Sequence, residues 1–457
     1  MNKKNTNKSR KNLILDGPIV KTLVSLAMPI IFAMVLQMIY NLTDTFWVGR
    51  LGANAVASVS LSWPILFLIT SFGNGLGIAG TILVSQYKGK KDHRNVDFIS
   101  AQTISAMFLI SAVVGVFGFL ISGPLIGLMG ASPSVIPDAV KYLKISFLGV
   151  LFSYIYFSFQ SLMNGIGEVK IPLYIVLCSV LLNLVLDPLF IMGWNFIPSF
   201  GVAGAAWTTI ISQALSSLVG IIILIKGSRG IKMHFKDLIP HVGIFKKMFK
   251  LGTPAGISQS VRALNMVLIT FLVVGFGTIS VAAFGLGVRI LGLIIVPGMG
   301  FSIAISTMVG QNMGAKKIDR AAHVSNRGML LAFVTLTLFG IIMFIAAKSV
   351  ASVFVPGEIE VIRQSAYFIR AMALTFGFIG LNMAIIGVFN GSGNTHNGMF
   401  LSVLSLVFLF CFGFGLSRFT SLGINGVWIA YPISNILTGL ISFIWIKRSR
   451  WKEIKII

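Results

Sequence analysis

The chain has 457 residues, 56% of them hydrophobic and 11% charged, with a mean hydropathy of +0.92. Soluble domains carry about 25% charged residues, so a core of this size with so thin a polar coat excludes a water-soluble globule and marks an integral membrane protein. The net charge of +24 does not signal nucleic acid, because a nucleic-acid binder gathers its charge on one polar face and no polar domain exists here.

In chain order, "MNKKNTNKSRKN" reads as part of a basic cytoplasmic tail over 1–23. The apolar run after it is too long for a cleaved signal peptide and is expected to stay as the first span. Spans need about 20 apolar residues, and twelve are predicted, near 24–48, 54–86, 99–122, 137–160, 169–193, 202–226, 250–274, 281–310, 326–347, 361–387, 398–417 and 423–446. They group as an N-lobe over 24–226, a basic cytoplasmic linker over 227–249, a C-lobe over 250–446 and a basic tail over 447–457. The loop "YKGKKDHR", the linker and both tails hold most of the Lys and Arg, which places them and both termini on the cytoplasmic side. The fold class is therefore all-α, a multi-pass protein of the cell (inner) membrane.

An internal repeat organises the spans. Shifted by 225 positions, residues 27–89 align without a gap on 252–314: Gly52 meets Gly277, Gly73 meets Gly298, Gly75 meets Gly300, and "VSQYKG" meets "VGQNMG". Further on, "NGIGE" pairs with "NGSGN" and "GVAGAAW" with "GINGVWI". The chain is two six-helix bundles in parallel repeat, an arrangement suited to alternating access by rocking lobes.

Of 12 acidic residues, only Asp44 and Asp187 fall inside spans. A charge at the bilayer centre costs roughly 2.5–3.5 kcal/mol on insertion scales, and such residues commonly mark an ion or proton path. The bland alternative is a helix-end carboxylate reaching interfacial water, or a buried strut. Gln37, Tyr40, Asn41 and Asp44 share one helix face, and Asn183 shares a face with Asp187. Pro188 follows Asp187 and is expected to free a backbone carbonyl nearby. The repeat partner of Asp44 is Ile269, so the shared fold does not require an acid there. On the seventh span, Arg262 and Asn265 occupy the matching polar face; Arg262 reads equally as a cleft residue or a structural anchor.

Other signals are weak. Cys178 and Cys411 lie in apolar runs and read as buried small hydrophobes. "GLGIAG", Gly75–Gly80, matches a dinucleotide-loop pattern, but no strand precedes it and its twin reads "GFSIAI"; close helix packing is the better account. No Walker loop, H-E-x-x-H or nucleophile elbow is present, so no enzyme activity is expected.

These segments together resemble the multidrug and toxic compound extrusion (MATE) transporters along essentially the whole chain: "LAMPI…YNLTDTFWVGRLG", "NGIGEVKIPLY…LLNLVLDPLF", "GVAGAAWTTIIS", "VGQNMGA" and "GINGVWIAYPIS". The likeness is to the DinF-like branch, where both membrane acids lie in the N-lobe. The resemblance implies a V-shaped fold of twelve helices in two bundles, and export of cationic or amphipathic small molecules in exchange for H⁺ or Na⁺. It implies an ion site at Asp44, Asn183, Asp187 and Thr209, with Tyr40 and Gln160 in the same network. Some relatives carry Asn at the Gln160 position, and other branches carry an acid on the seventh helix, where this chain has Arg262. No cofactor is expected beyond Na⁺ as a possible coupling ion. The expected partners are membrane lipids and the cargo, with the protein a monomer. The rival reading is a lipid-linked oligosaccharide flippase of related fold, for which Arg262 and Arg289 speak and the two acids do not.

Overall fold

The computed structural model describes residues 13–194, 198–454 and 456–457; the first twelve residues of the basic N-terminal segment, and Lys455, lie outside them. The N-terminal repeat comprises α1 (Ile19–Gly49), α2 (Ala53–Gly89), α3 (His93–Leu128), α4 (Ile136–Ile166), α5 (Lys170–Ile191) and α6 (Val202–Lys226). A 3-10 turn (Phe235–Leu238) leads to α7 (Val242–Val274), α8 (Thr278–Gly314), α9 (Ile318–Phe354), α10 (Ile359–Ala373), α11 (Phe376–Ser392), α12 (Thr395–Arg418) and α13 (Ile424–Arg448). Eleven of these are long and apolar enough to cross a bilayer singly, and α10 with α11 forms a twelfth segment bent by 50°.

The segment expected as one span at 361–387 is thus two helices meeting at an angle. No proline breaks the helix. Thr375 leaves helical geometry (φ −118°), its hydroxyl donates to the Met372 carbonyl at 3.0 Å, and it accepts from Asn435 Nδ2 at 3.1 Å. The Met372 carbonyl also accepts from the Thr375 N–H at 2.9 Å, so the last turn before the break is closed by both groups of Thr375. The seventh helix also starts earlier than expected, at Val242 rather than 250, which shortens the linker.

Two compact units emerge. One is 32–256; the other joins 1–31 to 257–457. The sequence-level lobes, 24–226 and 250–446, therefore differ from the compact units, which divide inside α1 and α7. Each dividing point follows a proline by two residues, Pro29 in α1 and Pro254 in α7. Proline removes an intrahelical hydrogen bond and loosens the helix locally. The two prolines are repeat partners, so each repeat lends the start of its first helix to the other. The packing matches. A Cβ added to Gly75 would collide with Gly256 and the Gly252 carbonyl, and one added to its twin Gly300 would collide with Ile31.

The backbone repeats itself closely. Non-glycine positive φ occurs at Lys91 (63°) and at its partner Lys316 (58°). Gly201 (φ 57°, ψ −135°) starts α6, and Gly423 (φ 53°, ψ −130°) starts α13; a side chain is strained in that geometry. "GLGIAG" serves as packing: side chains at Gly75, Gly77 and Gly80 would strike Gly256, Ser161 and Thr103.

The core of the 32–256 unit gathers Leu76, Met107, Phe147 and Tyr154, and Tyr154 donates to the Ile69 carbonyl at 2.6 Å. The other core packs Phe368 against Trp428, with ring centroids 4.3 Å apart and planes tilted by 31°. Cys178 and Cys411 are exposed on α5 and α12, correcting the expectation of burial. In a bilayer the lipid-facing surface is as apolar as the core, so an apolar run does not distinguish the two.

The linker is clasped to α3. Arg94 makes a bidentate pair with Asp237, at 2.6 and 2.9 Å. Gln102, fully buried, donates to the carbonyls of Asp237 (2.6 Å) and Ile239 (2.7 Å) and accepts from the His241 N–H at 2.8 Å. The hydrogen bonds from Arg94 hold the Asp237 carboxyl below its usual range.

Candidate functional site

Both membrane acids fall in the 32–256 unit, and the structure brings them face to face. On α5, Asn183 and Asp187 are one turn apart, both fully buried, and Asn183 Nδ2 donates to Asp187 Oδ1 at 2.9 Å. The helix runs on through Pro188 to Ile191, so Asp187 keeps helical geometry, while the proline, having no N–H, gives the Leu184 carbonyl no intrahelical donor. From α6, the buried Thr208 hydroxyl donates to the same Oδ1 at 2.6 Å. Its neighbour Thr209 reaches Asp44 Oδ2 of α1 at 3.5 Å. The Asp44 carboxyl lies within interaction range of both Asp187 and Asn183. Tyr40, one turn earlier on α1 and 3% exposed, interacts with Asp44 and Thr209.

The cluster leaves four buried oxygens unpaired. Asp44 Oδ1, Asp187 Oδ2, Asn183 Oδ1 and the Tyr40 hydroxyl are all buried without a hydrogen-bond partner. Buried oxygens are nearly always paired, and two carboxylates in contact cannot both stay bare in a low-dielectric site. A bound proton would neutralise one acid and let it donate to the other. A hard monovalent cation would use the same oxygens as ligands. No group of three or more His, Cys, Asp and Glu that could hold a metal exists among the described residues.

The sequence reading missed Thr208. Its only signal was adjacency to Thr209, because a hydroxyl inside an apolar helix ordinarily bonds its own backbone. Other expected members stand apart. Gln37 and Gln160 are half-buried and Asn41 is exposed, and none makes a hydrogen bond to either acid among the described residues.

Arg262 and Asn265 belong to the other unit. They line a cavity of about 140 Å³ with Asn382, Tyr431, Asn435 and Thr438. Arg289 is exposed and is not among the lining residues.

Comparison with known proteins agrees with this architecture. The family model MatE matches twice, over residues 29–189 and 254–414, in the register of the internal repeat. "Probable multidrug resistance protein YoeA" of Bacillus subtilis is 27% identical over 434 residues, covering 92% of this chain and 93% of the relative. "FAD transporter" of Shewanella oneidensis is 23% identical over 93% of this chain and 94% of the relative. A solved structure titled "Crystal structure of MATE in complex with MaL6" superposes with a TM-score of 0.91 at 24% identity, over 96% of this chain and 99% of that one. Two matches covering most of the chain, on a twelve-span repeat fold, establish that this is a membrane transport protein and not an enzyme, and that it belongs to the MatE family.

Proposed function

We propose that the protein is a secondary active antiporter of the cell membrane, with both termini cytoplasmic, that exports small cationic or amphipathic molecules in exchange for H⁺ or Na⁺. The observation that carries this reading is the cluster of four unpartnered buried oxygens around Asp44 and Asp187. Such a cluster is costly when empty and satisfied when a cation enters. Asp44 lies on α1, which contributes residues to both compact units. Ion entry supplies the missing positive charge. Asn183, Thr208 and Thr209 fix the oxygens in place, and repacking of α1 on ion binding or release is the step coupled to cargo movement. The name of the Bacillus relative supports a drug-like cargo; that of the Shewanella relative adds a phosphate-bearing one.

The test is efflux of a fluorescent cation from cells carrying the protein or Asp44→Asn. The reading predicts that the variant loses gradient-dependent efflux; undiminished efflux that still follows the gradient sinks it. The flippase reading draws support from Arg262 in its cavity. Rescue of a flippase-deficient strain would favour it over antiport.

A further inference from the structure

The cavity beside Arg262 lies wholly within the unit that contains 257–457. Its volume of about 140 Å³ is close to the roughly 150 Å³ of an engineered apolar cavity that takes up benzene. Its lining, however, is polar on several sides. Arg262 and Asn265 enter from α7, Asn382 from α11, and Tyr431, Asn435 and Thr438 from α13.

The Arg262 guanidinium has no hydrogen bond and no ion pair among the described residues. The acids of its unit, Asp16, Asp319, Glu358, Glu360 and Glu453, all sit in loops or helix ends; Asp16 is bound to Lys317 and Glu360 to Arg363. An anchoring arginine would be fastened to carbonyls or carboxylates, and this one is not. One neighbour that can donate is also unsatisfied: Thr438 Oγ1 is buried without a partner, whereas the unpartnered Asn265 Oδ1 is an acceptor and offers an anion nothing. Ser442 donates to Asn382 Oδ1 at 3.0 Å, which orients that side chain and leaves its NH₂ as a donor. A permanent cation with five N–H donors, next to an amide and a hydroxyl donor, fits a planar or tetrahedral oxyanion. The same charge repels a cation, so this cavity is no second copy of the acid cluster.

We propose that this cavity binds an oxyanion, a carboxylate or phosphate group of a small molecule or a lipid headgroup, held by Arg262, Asn382 and Thr438. The proposal rests on the export reading and deepens it: it adds an acidic group to the cargo class, so that zwitterionic and acidic amphiphiles are carried as well as cations.

The test uses the purified full chain in a delipidated alkyl maltoside micelle, which carries neither phosphate nor carboxylate, titrated with inorganic phosphate and with acetate in the absence of any ion gradient. Saturable binding is expected, weakened at least about tenfold by Arg262→Gln, the loss of one charge-assisted interaction. Arg262→Lys should bind at an intermediate level and Thr438→Val more weakly than the unmodified protein. Because Arg262→Gln removes an unpartnered cation, it should melt no lower than the unmodified protein without ligand. Absence of binding, binding undiminished in all three variants, or a lower melting temperature for Arg262→Gln with unchanged binding would each overturn the proposal, the last by marking an anchor. Nanodiscs containing phosphatidylglycerol separate the sources: competition with phosphate assigns the site to a headgroup, and unchanged phosphate binding assigns it to a solute. Since no gradient is applied, failure here leaves ion-coupled export standing, and failure of Asp44→Asn efflux to fall leaves this site standing.

Discussion

The first helices of the two repeats carry the same frame and opposite chemistry. α1 presents Gln37, Tyr40 and Asp44; α7, at the same positions 225 residues later, presents Arg262, Asn265 and Ile269. The prolines, the packing glycines and the positive-φ residues that shape the two repeats recur in register. The charged groups do not. Where one unit holds two carboxyls with unpartnered oxygens, the other holds a guanidinium with no ion pair or hydrogen bond among the described residues. What backbone geometry demands recurs in both repeats, and each polar face carries a different charge.

The largest effect expected from breaking this contrast comes at Asp44. Asp44→Asn and Asp187→Asn should each reduce ion-coupled efflux to the level of cells lacking the protein, and the double variant should be no worse, because residues acting as one unit are not additive. A smaller effect comes from forcing the units to match. Ile269 is fully buried among Leu272, Phe284 and Trp428, so Ile269→Asp should destabilise by roughly 2.5–3.5 kcal/mol, read as a lower melting temperature, without creating a second ion-coupled site. Smaller again, Thr208→Val keeps the side-chain shape and deletes the 2.6 Å bond to Asp187. A hydrogen bond to a charged group is worth about 1.5–3 kcal/mol, so ion half-saturation in vesicle transport should move by about ten- to a hundredfold.

The smallest effect concerns the linker clasp. The Asp237 carboxyl is held below its usual range by Arg94, so the clasp contributes above the ordinary carboxylate value, about 3.9, and is lost as pH falls through the lowered folded value. Amide-exchange protection at 235–241, corrected for intrinsic rates, should be constant near neutrality and fall only below about pH 4. Arg94→Ala should lower it at neutral pH. Protection that declines already near neutrality would contradict the assignment.

Much of this was legible in the sequence for a physical reason. Asp44 and Asp187 stand out because a carboxylate in an apolar run is expensive, and the repeat is visible because glycines at tight contacts tolerate no substitute. Thr209 followed from family resemblance alone. Thr208 left no trace beyond its place next to Thr209, since hydroxyls are cheap inside helices. Asn41 and Gln37 share the face of Asp44, but helical periodicity says which residues share a face and not what that face meets. The bend at Thr375 lacks a proline, and Thr375 accepts a hydrogen bond from Asn435, 60 residues away. The division of α1 at Ile31 is written only as Pro29, a residue that many membrane helices carry without consequence.

The central claim is that the acid cluster of one unit holds the coupling ion. It is tested most directly by ion movement itself: purified protein in vesicles, with a pure Na⁺ gradient and then a pure proton gradient, comparing the unmodified chain with Asp44→Asn. The account predicts that cargo added on one side drives counter-movement of Na⁺ or H⁺ in the unmodified protein and of neither ion in Asp44→Asn. Cargo-driven ion movement that persists at full rate in Asp44→Asn would contradict it.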